Sequence, residues 1–362
     1  MNLARVYASM LSEIHLWKLE GEFVAEFVPR ILNLAVAMSK YPSRERARLK
    51  HACVCHILRV GIGKRLTEAG LEILVRVTVA EINARKGALN MHIAVACALQ
   101  ELTNTLVDLG GGFQPTDEIK ALILSLLHSP WLPLRLSAGT TLRSFAFSSP
   151  DKLTAVLRHC LAEIHAQVNM VPEQSSPQGM QGVSLCIASA MMSAPAGTLG
   201  LPVGILDECM SVANMLVKDA WTAKCFGKVD DVAVGMRGSR MGGGWAIVCA
   251  SIRMGPEWVE GYIPMLMQLW ADALAGPPSG VATGNKMGER DLQCWVEAVC
   301  GAMAAIEVFV TDCGVLLDRQ DVASSIAACL QRIFCCDLVV KGHKLQSAGN
   351  TNAECVARNL IR

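Results

Sequence analysis

The sequence contains few aromatic residues and no excess of charge of either sign. Aromatics make up 5% of its 362 residues, whereas apolar residues of all kinds reach 52%. Ala, Leu, Val, Met and Cys must therefore fill the core, a composition typical of helical arrays in which each repeat packs against its neighbours. With 33 Lys and Arg against 32 Asp and Glu, bulk charge indicates no attraction to nucleic acid or to a membrane surface.

The sequence also lacks the spacing of a disulfide framework. Its 15 cysteines occur singly along predicted helices, where Cys behaves as a small hydrophobic residue. Arg5, Glu13 and Lys18 interrupt the apolar run that a signal peptide would need. We therefore expect a reducing, cytoplasmic compartment.

No apolar run predicts a membrane span. The longest uncharged stretch lies between Glu173 and Asp207 and contains three prolines and five glycines. A transmembrane helix needs about 20 mostly apolar residues in a row. This stretch instead predicts a buried helix over Val183 to Met192, followed by a loop.

Catalytic constellations are absent as well. No nucleophile occupies a recognisable elbow, and Asp230-Asp231 is interpreted as a solvated loop pair. Gly61-Ile62-Gly63-Lys64 lacks the other residues of a phosphate loop and ends a helix where such a loop begins one. Gly242-Gly243-Gly244 is interpreted as a closely packed helix start in preference to a Gly-rich turn. The sequence therefore predicts no enzyme, no catalytic residue and no cofactor.

One group of possible metal ligands, His51, Cys53, Cys55 and His56, lies close together in the sequence. On a helix His51 and Cys55 share a face, so two ligands are feasible. A structural zinc site needs four ligands, usually in two closely spaced pairs, and no second such pair exists; Cys335-Cys336 is the only adjacent pair. We interpret these residues as core packing with surface histidines and predict no metal site.

Hydrophobic residues recur at helical spacing along most of the chain, which predicts a dozen or more helices and no strand. Residues 71 to 82 are rich in β-branched side chains, yet their stripe is helical. The clearest stripes are Leu71, Leu74, Val75, Val79 and Ile82; Val95, Leu99, Leu102, Leu106 and Leu109; Ile119, Leu122, Ile123, Leu126 and Leu127; and Leu153, Val156, Leu157, Cys160, Leu161, Ile164 and Val168.

Helix boundaries are marked by capping residues and breakers. Predicted N-caps are Thr67, Asn90, Thr116 and Ser149, the last followed by Pro150 at the first helical position. Predicted stops are Tyr41-Pro42, Gly110-Gly111-Gly112 and Ser129-Pro130.

The segment from His128 to Phe147 resembles the inner turn of a HEAT repeat. A helix over Ile119 to His128 runs into a Pro-bracketed turn, and a second helix presents Leu134, Ala138 and Leu142 on one face. Small residues let two helices approach closely, and stacked pairs form a solenoid. We expect an all-α solenoid of HEAT-like antiparallel helix pairs over residues 1–340 and a polar tail over 341–362. Segments 171–180, 222–240 and 276–288 are predicted to be irregular.

The second half of the chain resembles one large HEAT-repeat family in particular. Residues 240 to 274 combine a Gly-Trp helix, the turn Met254-Gly255-Pro256 and a helix that ends in Leu269-Trp270, and residues 304 to 317 resemble the helix that follows. This arrangement is similar to the family of plant Sweetie and animal HEAT-repeat-containing protein five. The similarity covers about residues 120 to 335, while the N-terminal third agrees only in periodicity.

The resemblance implies a non-enzymatic scaffold in intracellular vesicle traffic. Members of that family are long cytosolic solenoids, accessory to the clathrin adaptor complex one at the trans-Golgi network and endosomes. The resemblance carries over no catalytic or cofactor residue, and the partner-binding face is left unknown. The alternative is a generic HEAT or armadillo-type binding module, such as a nuclear-transport or cytoskeletal adaptor.

The two end helices are predicted to lack polar caps. The stretch from Leu3 to Leu19 carries Val6, Met10, Ile14 and Trp17, and the helix from Asp318 to Phe334 carries Val322, Ile326, Cys329, Leu330 and Ile333. An array whose ends are apolar exposes surface that a further repeat would cover. We therefore expect an internal slice of a longer solenoid that self-associates through its ends.

Overall fold

A computed structural model of the chain describes residues 2–15, 18–36, 43–170, 176–194, 200–221, 231–275 and 289–334. Every regular element within these ranges is a helix. The helices group into two compact units, residues 1–152 and 153–362. The predicted all-α class of HEAT-like helix pairs is confirmed, whereas the single continuous array over residues 1–340 stays a prediction. The tail over 341–362 and the segment 276–288 lie outside the described residues.

In its described residues the first unit contains seven complete α-helices. They are α1 (Asn2–His15), α2 (Glu20–Asn33), α3 (Arg44–His56), α4 (Glu68–Arg85), α5 (His92–Leu109), α6 (Asp117–Leu126) and α7 (Leu132–Ser148). A π-helical turn, Ile57–Ile62, continues α3, and 3-10 turns occupy Gly63–Arg65, Leu89–Met91 and Gly110–Gly112. The α5 helix contacts α3, α4 and α7, so it lies at the centre of this unit.

The second unit is likewise formed by helices that pack against one another. It contains α8 (Pro150–Asn169, which begins in the last residues of the first unit), α9 (Pro177–Met191), α10 (Val203–Trp221), α11 (Asp231–Ile252), α12 (Pro256–Val259), α13 (Ile263–Leu274), α14 (Glu289–Asp312) and α15 (Gln320–Phe334). The α11 helix contacts α9, α10 and α14 and is the central helix of this unit.

Several predicted boundaries are confirmed at the level of single residues. Thr67 precedes α4, and its hydroxyl accepts a hydrogen bond from the amide of Gly70 at 3.3 Å. Thr116 and Ser149 directly precede α6 and α8, and α5 ends immediately before Gly110. Residues 71–82 are helical, as their stripe predicts. Tyr41-Pro42 lies outside the described residues.

The prediction of Asn90 as an N-cap is wrong. Asn90 lies inside the 3-10 turn, and α5 begins two residues later at His92. The amide of Met91 bonds to the carbonyl of Ala88 at 3.0 Å. The 3-10 turn thus shifts the start of α5, and Met91 instead of Asn90 directly precedes the helix, with no side-chain cap.

Two segments predicted to be irregular are partly helical. Within 171–180, α9 begins at Pro177, because proline suits the first helical position and Ser176 caps the amide of Gly179 at 3.1 Å. Within 222–240, α11 already begins at Asp231, so Asp231 does not lie in a loop. Gly242-Gly243-Gly244 lies in the middle of α11 and not at a helix start. Close packing against neighbouring helices offsets the low helix propensity of glycine at the last two of these positions.

The core consists mainly of aliphatic side chains, with a few large aromatic anchors. Trp245 and Trp270 are buried. Trp270 meets Phe309 edge-on, with ring centroids 5.4 Å apart. Leu134, Ala138 and Leu142 are buried on α7, which contacts α6 as predicted.

Candidate functional site

The outer face of α1 carries an exposed apolar stripe. Leu3, Val6, Tyr7 and Met10 follow the i, i+3, i+4, i+7 spacing of one helix face and are 81%, 57%, 36% and 58% exposed. We call these four residues the α1 stripe. Most other exposed large apolar side chains, such as Val107 and Val310, stand far from one another in the sequence, which is ordinary for a protein surface.

The opposite face of α1 is the one that packs into the unit. Ala4, Ala8 and Leu11 are buried there, and α1 contacts the π-helical turn that continues α3. A methyl group added at Gly61 in that turn would lie 3.3 Å from Cα of Ala8 and 3.1 Å from Cδ1 of Leu11. Small residues on both sides thus bring the two backbones close together. This contact decides which face of α1 turns inward and leaves the α1 stripe outside.

The helix α15, the other end helix that was expected to expose an apolar face, buries its apolar side chains. Val322, Ile326 and Cys329 of α15 are buried, and the exposed positions of that helix include Asp321 and Gln331. The expectation of an uncapped α15 is therefore wrong for its described residues, because its single apolar stripe is satisfied by packing against α13. Trp17 and the side chain of Ile333 lie outside the described residues.

A second notable feature is a polar seam between α3 and α5. His51, Cys55 and Arg59 recur every four residues along α3 and its π-helical continuation, so they share one face. Cys97 and Glu101 do the same on α5, which packs against α3. The two rows bring together a group of thiol and imidazole side chains at one end and a group of opposite charges at the other.

His51, Cys55 and Cys97 form the first group, which we call the thiol–imidazole cluster. Their ligand-type atoms all lie within 4.8 Å of one another. The Sγ of Cys55 is 3.9 Å from Nδ1 and 3.7 Å from Nε2 of His51, and the Cys97 thiol donates to the backbone carbonyl of His51 at 3.8 Å. Cys97 is buried, whereas His51 and Cys55 are half-buried and reach the surface.

The cluster changes the proton affinity of its members. The neighbouring Cys97 thiol, reinforced by His51, lowers the pKa of Cys55 to about 6. The same contact and burial raise the pKa of Cys97. The interaction with Cys55, together with a hydrogen bond to the backbone of Ala96, raises the pKa of His51. A thiolate therefore lies beside an imidazole, an arrangement that suits metal binding or thiol chemistry.

The charged end of the seam is built around a buried carboxylate. Glu101 is 1% exposed; Nη1 of Arg59 lies 3.5 Å from its Oε1, and Asn104 donates to Oε2 at 3.5 Å. Burial raises the pKa of Glu101 to about 7 despite the nearby guanidinium. Arg59 makes a shorter bond, 2.8 Å, to Asp108. The distances indicate that Asp108 is the principal partner of Arg59.

Sequence reasoning identified His51 and Cys55 as a feasible ligand pair but missed Cys97. Of the four residues considered, Cys53 and His56 do not belong to the group of three that the described residues form. Cys335-Cys336 lies outside the described residues. Gly63, considered as part of a phosphate loop, lies against the carboxyl group of Glu101. The four-residue spacing within each row could be recognised in the sequence. No local feature of the sequence indicates that the row on α3 packs against the row on α5.

No protein-family model matches the chain, and no solved structure matches it significantly. The resemblance to the Sweetie family therefore stays a prediction. In the described residues no helix is both long and apolar enough to cross a membrane.

Proposed function

We propose that the chain is a non-enzymatic helical scaffold that binds other proteins through the α1 stripe. The observation that carries this proposal is the exposure of four large apolar side chains on one face of α1, while the opposite face packs inward. Apolar side chains at this spacing are the surface by which one helix packs against another.

The occupant that fits this surface is an amphipathic helix of a partner protein. The helices of the first unit already pack face to face in this way, with α5 against α3, α4 and α7. A partner helix would extend that packing by one layer, with its own apolar ridge between Leu3, Val6 and Met10. The stripe has no charged member, so apolar burial supplies the affinity and a polar rim supplies orientation.

In finer terms, we propose that the partner belongs to the clathrin adaptor complex one or its accessory proteins. The support is the resemblance of residues 120 to 335 to the Sweetie family, including the turn at Gly255, whose φ of 107° suits glycine. Such a scaffold would be cytoplasmic and would reach trans-Golgi, endosomal or endocytic vesicle membranes through its partners.

The test combines Val6→Glu and Met10→Glu in the tagged full chain. Burying an apolar side chain of this size contributes about 1.5–3 kcal/mol, so losing both should weaken partner binding by about a hundredfold or more. Val107→Glu is the matched control, because Val107 is 55% exposed on α5 and lies outside the stripe. Circular dichroism verifies that each variant folds.

Affinity purification followed by mass spectrometry should recover adaptor-complex subunits with the parent chain and with Val107→Glu. The double variant should lose them. Recovery of nuclear-transport or cytoskeletal proteins in their place would reject the vesicle-traffic role while keeping the stripe as a binding surface. Equal recovery by the double variant would reject the stripe itself.

A further inference from the structure

We propose that the thiol–imidazole cluster is a zinc-binding site, with His51, Cys55 and Cys97 as protein ligands and a water molecule in the fourth position. This site lies on the seam of α3 and α5 and does not depend on the proposed scaffold function.

The spacing of Cys55 and His51 matches that of two ligands of a tetrahedral zinc ion. Zinc binds sulfur at about 2.3 Å and imidazole nitrogen at about 2.0–2.1 Å, which separates the two ligand atoms by about 3.6 Å. The sulfur of Cys55 lies 3.7 Å from Nε2 of His51, the nitrogen that would bind the ion. All three ligand atoms lie within 4.8 Å of one another, so small side-chain rotations would close the shell.

The donor set selects the class of metal. Two thiols and one imidazole are soft or borderline ligands, which suit zinc and not the oxygen-seeking ions calcium and magnesium. With three protein ligands the site resembles zinc sites that keep one coordination position for water. His51 and Cys55 reach the surface, which provides an entry path for the ion.

The surroundings hold the ligands in place. His51 and Cys55 are one turn apart on one helix, and Cys97 comes from the central helix of the unit. All three ligands therefore stand on helices and not on loops.

The experiment uses Co²⁺ as a spectroscopic probe of the full chain, prepared metal-free under a reducing agent that does not bind metal. We expect one equivalent of Co²⁺ to produce the thiolate charge-transfer band and the intense visible bands of tetrahedral cobalt. Zn²⁺ should then displace it and abolish both. Cys97→Ala should lower the affinity for Zn²⁺ at least tenfold, as measured by competition with a chelator.

Cys53→Ser is the matched control, because Cys53 lies on α3 but not in the cluster. It should bind Co²⁺ with the same spectrum and affinity as the parent chain, and circular dichroism should report the same helix content for all variants. Absence of the tetrahedral spectrum in the parent chain would overturn the proposal. Unchanged zinc affinity in Cys97→Ala would also overturn it. So would a disulfide between Cys55 and Cys97 in protein that is purified under reducing conditions.

Discussion

Gly301 of α14 lies directly against the side chain of Trp245 of α11. A methyl group added at Gly301 would come 2.9 Å from Cβ of Trp245 and nearer still to two atoms of its indole ring. The absence of a side chain at position 301 therefore makes room for a buried tryptophan. The pair explains how α11 and α14 pack closely around one large aromatic residue.

This relationship predicts non-additive effects of substitution. Gly301→Ala should destabilise the fold by about 1–3 kcal/mol through overpacking, although alanine favours a helix by about 1 kcal/mol. Trp245→Ala should cost about 3–5 kcal/mol. In the Trp245→Ala background, Gly301→Ala should cost less than in the parent, because the two contacts with the indole ring are gone and only the contact with Cβ remains. Urea unfolding of the four proteins measures this cycle, and simply additive costs would contradict the contact.

The three consecutive glycines of α11 should respond differently to alanine. A methyl group at Gly243 would lie 2.5 Å from Oγ of Ser184, and one at Gly244 would lie 2.7 Å from Cγ2 of Val217, whereas one at Gly242 would meet nothing within 4 Å. Gly243→Ala and Gly244→Ala should therefore destabilise. Gly242→Ala should stabilise by up to about 1 kcal/mol, because alanine is the better helix former. Thermal unfolding measures all three, and equal effects would argue against close packing.

Glu101 should make the stability of the protein depend on pH. Burial raises its folded-state pKa from 4.5 to about 7, so the unfolded chain releases this proton at lower pH than the folded chain. The free energy of unfolding should therefore fall as pH rises from 4.5 to 7, by about 3 kcal/mol at 1.4 kcal/mol per pKa unit. Glu101→Gln should remove this fall and be more stable than the parent at pH 8.

The control for this pH effect is Asp108→Asn, which removes the other carboxylate beside Arg59 at a more exposed position. Asp108→Asn should not become progressively more stable than the parent between pH 5 and pH 8, as Glu101→Gln should. If Glu101→Gln were less stable than the parent at pH 8, the pairing of ionised Glu101 with Arg59 would outweigh the cost of burying its charge. Urea unfolding at fixed ionic strength across this range distinguishes the two cases.

Leu126 tests the contact between α6 and α7. It is buried, so Leu126→Asp places an unpaired charge in the core and should cost several kcal/mol. Leu126→Ala should cost about 2–5 kcal/mol by leaving a cavity. Ser125→Asp, at the neighbouring exposed position, should change stability by less than about 0.5 kcal/mol. Similar melting temperatures for the two aspartate variants would reject the predicted pairing of these helices.

The α1 stripe should also make the purified chain self-associate in the absence of a partner. Static light scattering should show apparent mass rising with concentration for the parent chain and for Val107→Glu. The combination of Val6→Glu and Met10→Glu should suppress this rise, because exposed apolar patches drive association. A monodisperse monomer at high concentration would show that the stripe is not adhesive.

Much of the helical layout could be predicted from the sequence, because the signals act over a few residues. The stripe of Ile119, Leu122, Ile123 and Leu126 is buried as its spacing indicates, and Thr67 caps α4. Where the prediction failed, a nearby structural alternative decided the outcome. Asn90 is not a cap because a 3-10 turn moves the start of α5 to His92. The glycines of α11 do not break the helix, because close neighbours of Gly243 and Gly244 offset their low propensity.

Sequence alone thus determined that the chain is helical, where most helices lie and which residues form their apolar faces. It could not determine which apolar faces stay exposed: the stripes of α1 and α15 read alike, yet α15 buries its stripe against α13 and α1 leaves one of its two faces outside. Nor could it bring Cys97 to His51 and Cys55, since no local signal links α5 to α3. Local periodicity acts within a helix, whereas exposure and proximity depend on which helices pack together, and that is settled by contacts between residues distant in sequence.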